Sequence, residues 1–354
     1  MDLRKDVNFK QEEKSANEEN ICCQCILPAN YKGGKLDDDG KCDYCQSMSF
    51  TGIKREVDQQ EKNALTDQLD DILKRVKNTG KFYDVAVGFS GGKDSAYLCH
   101  LLKEKYNLRI LAITIDHGYF PDCVKENINR VSQIIGLDLI YHRIDQLFMD
   151  KFFKHQFNTF HKSSDSVFDV MCGPCSDIIE GNVIRIAAQL EIPIVLVGLS
   201  PEQTNRYFFQ MPKEHLEVKC FNEVFDDPCF GETDNKNLWN PEEQTFIPQV
   251  YFPFHVWDYN VEEIVSELEQ HDLLSSEASD PIKTECKIMQ TMRFFDEKRL
   301  GYDPRIGPFS DLVRFGKASR QEMIEKFYRQ DLDHDAIEET KQRLGLKLDG
   351  QIAN

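Results

Sequence analysis

The 354-residue chain lacks an apolar run long enough to span a membrane, and its N-terminal stretch lacks the apolar segment of an export signal. Both absences predict a cytoplasmic protein with no membrane span. Basic residues are few: 43 Lys and Arg stand against 61 Asp and Glu, for a net charge of −18. Such a chain repels a phosphate backbone unless it gathers a local basic face, and the sequence shows none, so nucleic acid is not an expected partner. Apolar residues make up only 40%. That deficit predicts exposed charged tails around a normal core. No internal repeat is present, which excludes a solenoid. The length suffices for one large or two modest domains.

Cysteine is plentiful, with 12 in the chain. In a cytoplasmic protein paired cysteines point to metal or catalytic sites more than to disulfides. Cys22 and Cys25, then Cys42 and Cys45, form C-x2-C-x16-C-x2-C, a zinc-ribbon spacing. Two short knuckles can supply the corners of a tetrahedron, and the segment has too little core to fold without a metal. A closed four-thiolate site is structural. Cys23 is the odd thiol and competes with Cys22 for the ligand role. A third pair, Cys172 and Cys175, sits in Met171-Cys172-Gly173-Pro174-Cys175, ahead of a helix expected over 177–190. A helix N-terminus lowers a thiol pKa, which makes this pair a catalytic candidate. Cys99, Cys123, Cys220 and Cys229 are read as structural.

Between these lies an alternation of strands and helices. Residues 85–87, 110–115, 137–142 and 192–199 read as buried strands, and 94–101, 127–135, 147–160 and 177–190 as helices. The pattern predicts an α/β fold with a doubly wound parallel sheet. Residues 1–20 form an expected disordered tail, 21–50 the ribbon, 51–80 a linker helix, 81–230 the core, 231–328 a C-terminal substrate region and 329–354 a charged helical tail. The linker helix carries an apolar stripe of Leu65, Leu69, Ile72, Leu73 and Val76 and is expected to dock the ribbon on the core. Further helices are expected over 261–268, 287–299, 318–328 and 331–344, with Ser319 and Glu322 as a capping box.

The first strand breaks into Ser90-Gly91-Gly92-Lys93-Asp94-Ser95 and continues as a helix. Strand, glycine turn and helix N-terminus make an anion cradle, because the glycines let backbone approach and the first helical N–H groups stay free. A Walker A loop needs a glycine where Lys93 stands, so its spacing fails here. Asp116 and His117 follow the second strand, and Gly198, Leu199 and Ser200 the fourth. All fall on the strand C-terminal edge, where such sheets bind ligands. Asp116 is either a polar contact for a nucleotide or a turn and capping residue.

The six-residue loop is identified as the SGGxDS signature of the PP-loop ATP pyrophosphatases, which split ATP into AMP and pyrophosphate while adenylating a substrate. From Cys22 to about Tyr328 the chain most resembles the N-acetyl sugar amidotransferases of bacterial surface-glycan (lipopolysaccharide) biosynthesis. The ribbon, the loop and the closing stretch from Val313 to Glu322 (VRFGKASRQE) carry that likeness. It implies that Ser90, Gly91, Gly92, Asp94 and Ser95 hold the pyrophosphate end of ATP and that Lys93 adds charge. It implies Asp116 near the adenosine, magnesium on the phosphates with Asp94 as the nearest carboxylate, and Zn2+ in the ribbon. A nucleotide-linked sugar is the expected substrate, and a separate glutaminase the expected source of ammonia. Cys172 and Cys175 with the distant Cys286 also resemble the three-ligand [4Fe-4S] arrangement of PP-loop tRNA thiolases, which leaves an iron-sulfur-dependent sulfurtransferase as the alternative. A second zinc site, a redox pair and buried structural thiols remain open for these three. The stretch Gly198-Leu199-Ser200-Pro201-Glu202-Gln203 departs from the Gly-His-x-x-Asp-Asp pattern common in the superfamily, with Glu202 as a substitute carboxylate.

Overall fold

A computed structural model describes residues 20–51, 58–79, 81–160, 166–200, 209–217, 223–274 and 285–346. The expected N-terminal tail, Gly80, Pro201, Glu202, Gln203, Cys220 and the last eight residues lie outside the described residues.

In chain order the helices and strands are α1 (Asp43–Ser47), α2 (Gln59–Val76), β1 (Val85–Gly88), α3 (Lys93–Tyr106), β2 (Ile110–Asp116), α4 (Asp122–Ile135), β3 (Asp138–Arg143) and α5 (Gln146–Thr159). Then come α6 (Val167–Gln189), β4 (Ile194–Val197), α7 (Lys213–Leu216), β5 (Gln249–Tyr251), α8 (Val261–Gln270), α9 (Lys287–Leu300), α10 (Ile306–Arg314), α11 (Arg320–Tyr328) and α12 (His334–Leu344). The chain divides into two compact units. One is Met1–Ile53 with Arg293–Asp333; the other is Lys54–Met292 with His334–Asn354. The boundary falls inside α9.

The larger unit holds a five-stranded sheet in the order β3-β2-β1-β4-β5, every pairing parallel. This is the doubly wound α/β fold that the strand–helix alternation predicts. The order runs outward from β1 in one direction through β2 and β3, then restarts on its other side with β4. The switch point is therefore between β1 and β4, whose ends Gly88 and Val197 are register partners. Strand alternation sorts the core. Val85 and Val87 face a cluster built from Leu69 and Leu73 of α2, Leu98 and Leu102 of α3, and Ile264 and Leu268 of α8. On the other face, α6 packs against β1, β2 and β4, with α5 beside it and α12 against α5. α2, the expected linker helix, belongs to this core, where Leu69 and Leu73 are fully buried. β5, only three residues long and close to two prolines, gives too short a pattern to read from sequence.

α6 begins ten residues earlier than the sequence suggests. Ser166 caps it by accepting from Asp169 N at 2.9 Å, and the helix runs through Gly173 and Pro174 without stopping. A proline inside a helix removes the amide that would bond the carbonyl four residues back. That carbonyl belongs to Val170, and the buried Gln156 of α5 donates its side-chain amide to it. The helix crosses the proline because a neighbouring element supplies the missing donor.

The smaller unit has no sheet among its described residues. Its core joins Cys22, Cys25, Ile26, Leu27 and Tyr31 to Ile306 of α10 and Ile324 and Phe327 of α11. Gly307 lets α10 come this close, since a Cβ there would lie 2.3 Å from Tyr31 Oη.

Candidate functional site

The glycine loop lies at the switch point. Gly91 takes φ +75°, and a Cβ on it would meet Ile128 Cγ1 at 2.4 Å. Its carbonyl accepts from Asn127 Nδ2 of α4 at 2.5 Å, and Asn127 Oδ1, buried, has no partner among the described residues. Ser90 Oγ and Ser95 Oγ are 3.2 Å apart, and Ser95 Oγ donates to Gly92 O at 3.1 Å. Gly92 is the N-cap of α3 and offers no side chain to cap it, so the amides of the first turn remain available to an anion. Across the switch point, a Cβ on Gly198 would lie 3.1 Å from Asp94 O. The glycine after β4 is what allows the start of α3 to rest against that strand end.

Lys93 and Asp94 face each other. Lys93 Nζ donates to both Asp94 oxygens at 2.7 and 2.9 Å and to Tyr259 Oη at 2.8 Å, and Tyr259 Oη donates to Asp94 Oδ1 at 2.7 Å. Tyr259, just before α8, carries no sequence signal; only folding brings it to the loop.

Asp116 is buried at the end of β2. Its Oδ1 accepts from Gly118 N at 2.7 Å and its Oδ2 from Tyr141 Oη at 2.9 Å, with Arg143 Nε at 3.8 Å. Both oxygens thus hold the turn and the neighbouring strand, as a turn aspartate does, while a carboxylate retains room for further donors. His117 is buried beside it, and its Nδ1 accepts from Tyr119 N at 3.3 Å. Burial pushes its pKa down to about 4, against the pull of Asp116, so the ring is neutral at physiological pH. Arg343 of α12 also reaches this edge. It donates to Gly118 O at 2.9 Å and to both oxygens of Asp150 at 2.7 and 3.1 Å, and stacks 4.1 Å above the Tyr119 ring. The charged C-terminal helix, expected as a tail, therefore places a cation at the strand ends.

Cys172 and Cys175 lie one turn apart inside α6, not ahead of a helix N-terminus. For Cys175 the expectation of a lowered thiol pKa does not hold. Burial pushes Cys175 up, and nearby Cys286 and Asp177 push it further. Cys286 also raises Tyr119. Folding thus brings Cys286 close to Cys175 across more than a hundred residues. These three are not among the described groups whose ligand atoms lie within 4.8 Å of one another, the spacing of a single-ion site.

Cys22, Cys25, Cys42 and Cys45 do form such a group, and all four are buried. Cys22 Sγ and Cys45 Sγ are 3.7 Å apart, and Cys25 Sγ and Cys42 Sγ 3.6 Å. A tetrahedral ion with metal–sulfur bonds of about 2.3 Å requires sulfur–sulfur edges of about 3.8 Å, so the four thiols fit one. Backbone amides of Leu27 and Cys42 point at Cys25 and Cys22 sulfurs at 3.4 and 3.3 Å. Cys23 is exposed and its thiol donates to Asp39 O, which settles the competition in favour of Cys22. Burial, with the neighbouring Cys22 and Cys42, pushes the Cys45 thiol up to about 11, opposed by Arg314. A metal reverses this, since a coordinated thiol is deprotonated outright. The closing stretch serves this site. Arg314 Nε lies 3.3 Å from Cys45 Sγ, and Arg320 donates to Cys25 O at 2.8 Å and Cys22 O at 3.0 Å.

No family model matches the chain. Over 174 residues it is 26% identical to an uncharacterized protein of Methanocaldococcus jannaschii, covering 48% of this chain and 53% of that one. Over 85 residues it is 33% identical to the GMP synthase [glutamine-hydrolyzing] of Pyrobaculum aerophilum, covering 24% of this chain and 17% of that one. The matches thus span about half and about a sixth of those relatives. Solved structures of similar shape include the U34-tRNA thiolase NcsA of Methanococcus maripaludis with its [4Fe-4S] cluster, at 14% identity, TM-score 0.39, and 95% and 92% coverage. The NH3-dependent NAD synthetase of Campylobacter jejuni follows at 16% identity, TM-score 0.35, and 80% and 93% coverage. Scores this low transfer no chemistry. No described helix is long and apolar enough to cross a membrane. In this chain Ser90-Gly91-Gly92-Lys93-Asp94-Ser95 joins β1 to α3 at the switch point of a 3-2-1-4-5 parallel sheet.

Proposed function

We propose that this chain is an ATP-dependent transferase that forms AMP and pyrophosphate and replaces an activated oxygen with nitrogen. Its acceptor is the acetamido group of a nucleotide-linked N-acetyl sugar destined for a surface glycan. The observation that carries this reading is the SGGKDS loop, whose open helix amides and failed Walker spacing suit the pyrophosphate end of ATP. Backbone N–H groups from Gly91 to Ser95 hold that end. ATP competes with Asp94 for Lys93, and the released carboxylate is then the nearest ligand for magnesium, which neutralises phosphate charge when bound. Tyr259 keeps the two side chains in place. The amide oxygen attacks the α-phosphorus and pyrophosphate leaves. Ammonia then adds to the amide carbon, and AMP departs with the oxygen. The enzyme supplies positioning and charge stabilisation. Zinc occupies the four-thiolate site and is structural, because the protein fills every corner. A separate glutaminase supplies ammonia; the partial match to an enzyme named for glutamine hydrolysis supports this.

An assay with ammonium, ATP and nucleotide-linked N-acetyl sugars tests the reading. AMP, pyrophosphate and an amidino product are expected together, and AMP release without nitrogen incorporation overturns it. Asp94→Asn is expected to lower pyrophosphate formation about 100-fold with the circular dichroism spectrum unchanged.

The approach of Cys286 to Cys175, with Cys172 one helical turn away, supports a second reading. In it the three thiolates hold a [4Fe-4S] cluster with one iron open to a sulfur donor, and the transferred atom is sulfur. Anaerobic purification decides between the two. Brown protein with about four irons per chain favours the cluster, and colourless, iron-free protein excludes it.

A further inference from the structure

His100 lies on α3, past the loop on the same helix. It is 6% exposed. Glu267 is on α8, and His271 is the C-cap residue of that helix, four positions on and so on the same side. His100 Nε2 is 3.1 Å from Glu267 Oε1, and the rings of His100 and His271 lie 4.5 Å apart at 44°. One ligand atom from each residue falls within 4.8 Å of the others. Tyr97, on the preceding turn of α3, lies beside the Glu267 carboxylate. Such an outer contact orients a ligating carboxylate.

Two imidazoles and a carboxylate, free of thiolate, suit zinc and its transition-metal neighbours. Ligands on a tetrahedral zinc stand about 3.4 Å apart, and small rotations of the exposed His271 close the difference. We propose that His100, Glu267 and His271 form a second transition-metal site, with three protein ligands and a fourth position open to solvent. Its effect follows from where the helices lead. At the other end of the same pair of helices, Tyr259 at the approach to α8 bonds Asp94 at the start of α3. Asp94 and His100 are six residues apart, about 9 Å along the helix. A metal across His100, Glu267 and His271 clamps α8 to α3 and so holds Tyr259 against the loop.

Zinc content tests this in full-length, untagged protein saturated with zinc and then desalted. His271→Ala and Glu267→Gln are each expected to hold one ion fewer than the unmodified chain, whatever the four-thiolate site holds. His271 is exposed, so its truncation leaves the core intact. Equal content in all three proteins overturns the proposal and leaves an ordinary histidine–glutamate pair. Cobalt(II) gives a second readout. Visible ligand-field bands without thiolate charge transfer are expected when cobalt(II) is added to protein that keeps zinc only in the four-thiolate site, the second site having been emptied with a mild chelator, and they are absent from His271→Ala treated alike. Identical spectra overturn the site.

Discussion

Gly91 combines a left-handed backbone with a neighbour too close for any side chain, Ile128 Cγ1 at 2.4 Å from a built Cβ. Alanine there meets both penalties. Gly91→Ala is expected to lower stability by about 3 kcal/mol, read as the shift of a urea midpoint. It also displaces the amides that would bind phosphate. His117 makes a different prediction. Its folded-state pKa of about 4 lies below the ordinary 6.5. As pH falls from 6.5, the unfolded chain takes up the proton first, so stability is full above this window and declines toward pH 4. The whole decline is about 3 kcal/mol. Urea titrations across the window check it, and His117→Gln is expected to remove that part of the slope.

At the scale of elements, α6 depends on α5 for its continuity. Gln156 donates to the Val170 carbonyl that Pro174 leaves unbonded. Gln156→Leu buries that carbonyl without a donor and is expected to cost about 2 kcal/mol. In the double variant with Pro174→Ala, residue 174 regains its amide, and part of the loss is recovered. Additive losses in this double-mutant cycle count against the account. The same helix explains why its thiols resisted a sequence reading. Gly173 and Pro174 look like a break, which sets Cys172 and Cys175 at a helix start; only the contact with α5 shows them in a helix interior, where burial raises the Cys175 thiol.

At the scale of the molecule, the two units are held by different physics. The larger unit rests on a sheet covered by helices on both faces. The smaller has four buried thiols at its centre, with the Arg314 guanidinium beside Cys45 and Cys25. Removing the proposed zinc leaves buried thiols that must take up protons in a segment with little other core. A strong chelator is expected to release zinc and to expose residues 21–45 to hydrogen exchange. The five-stranded sheet is expected to keep its protection. Equal loss of protection in both places counts against this division.

Local sequence determined the elements that rest on local rules. The glycine loop needs backbone freedom and free helix amides, the buried strands need continuous apolar runs, and the thiol knuckles need a fixed spacing. Each is written in neighbouring residues, so the α/β class, the loop and the four-cysteine set were legible. Tertiary structure alone decided which distant residues meet. Tyr259 reaches Asp94, Arg343 reaches the turn after β2, Cys286 approaches Cys175, and Arg314 and Arg320 bind the knuckles. These contacts arise from packing between elements far apart in the chain, where no periodicity or spacing records the partner. The same packing turned α2 into core and carried α6 across a proline, because burial and a borrowed hydrogen bond outweigh local preference.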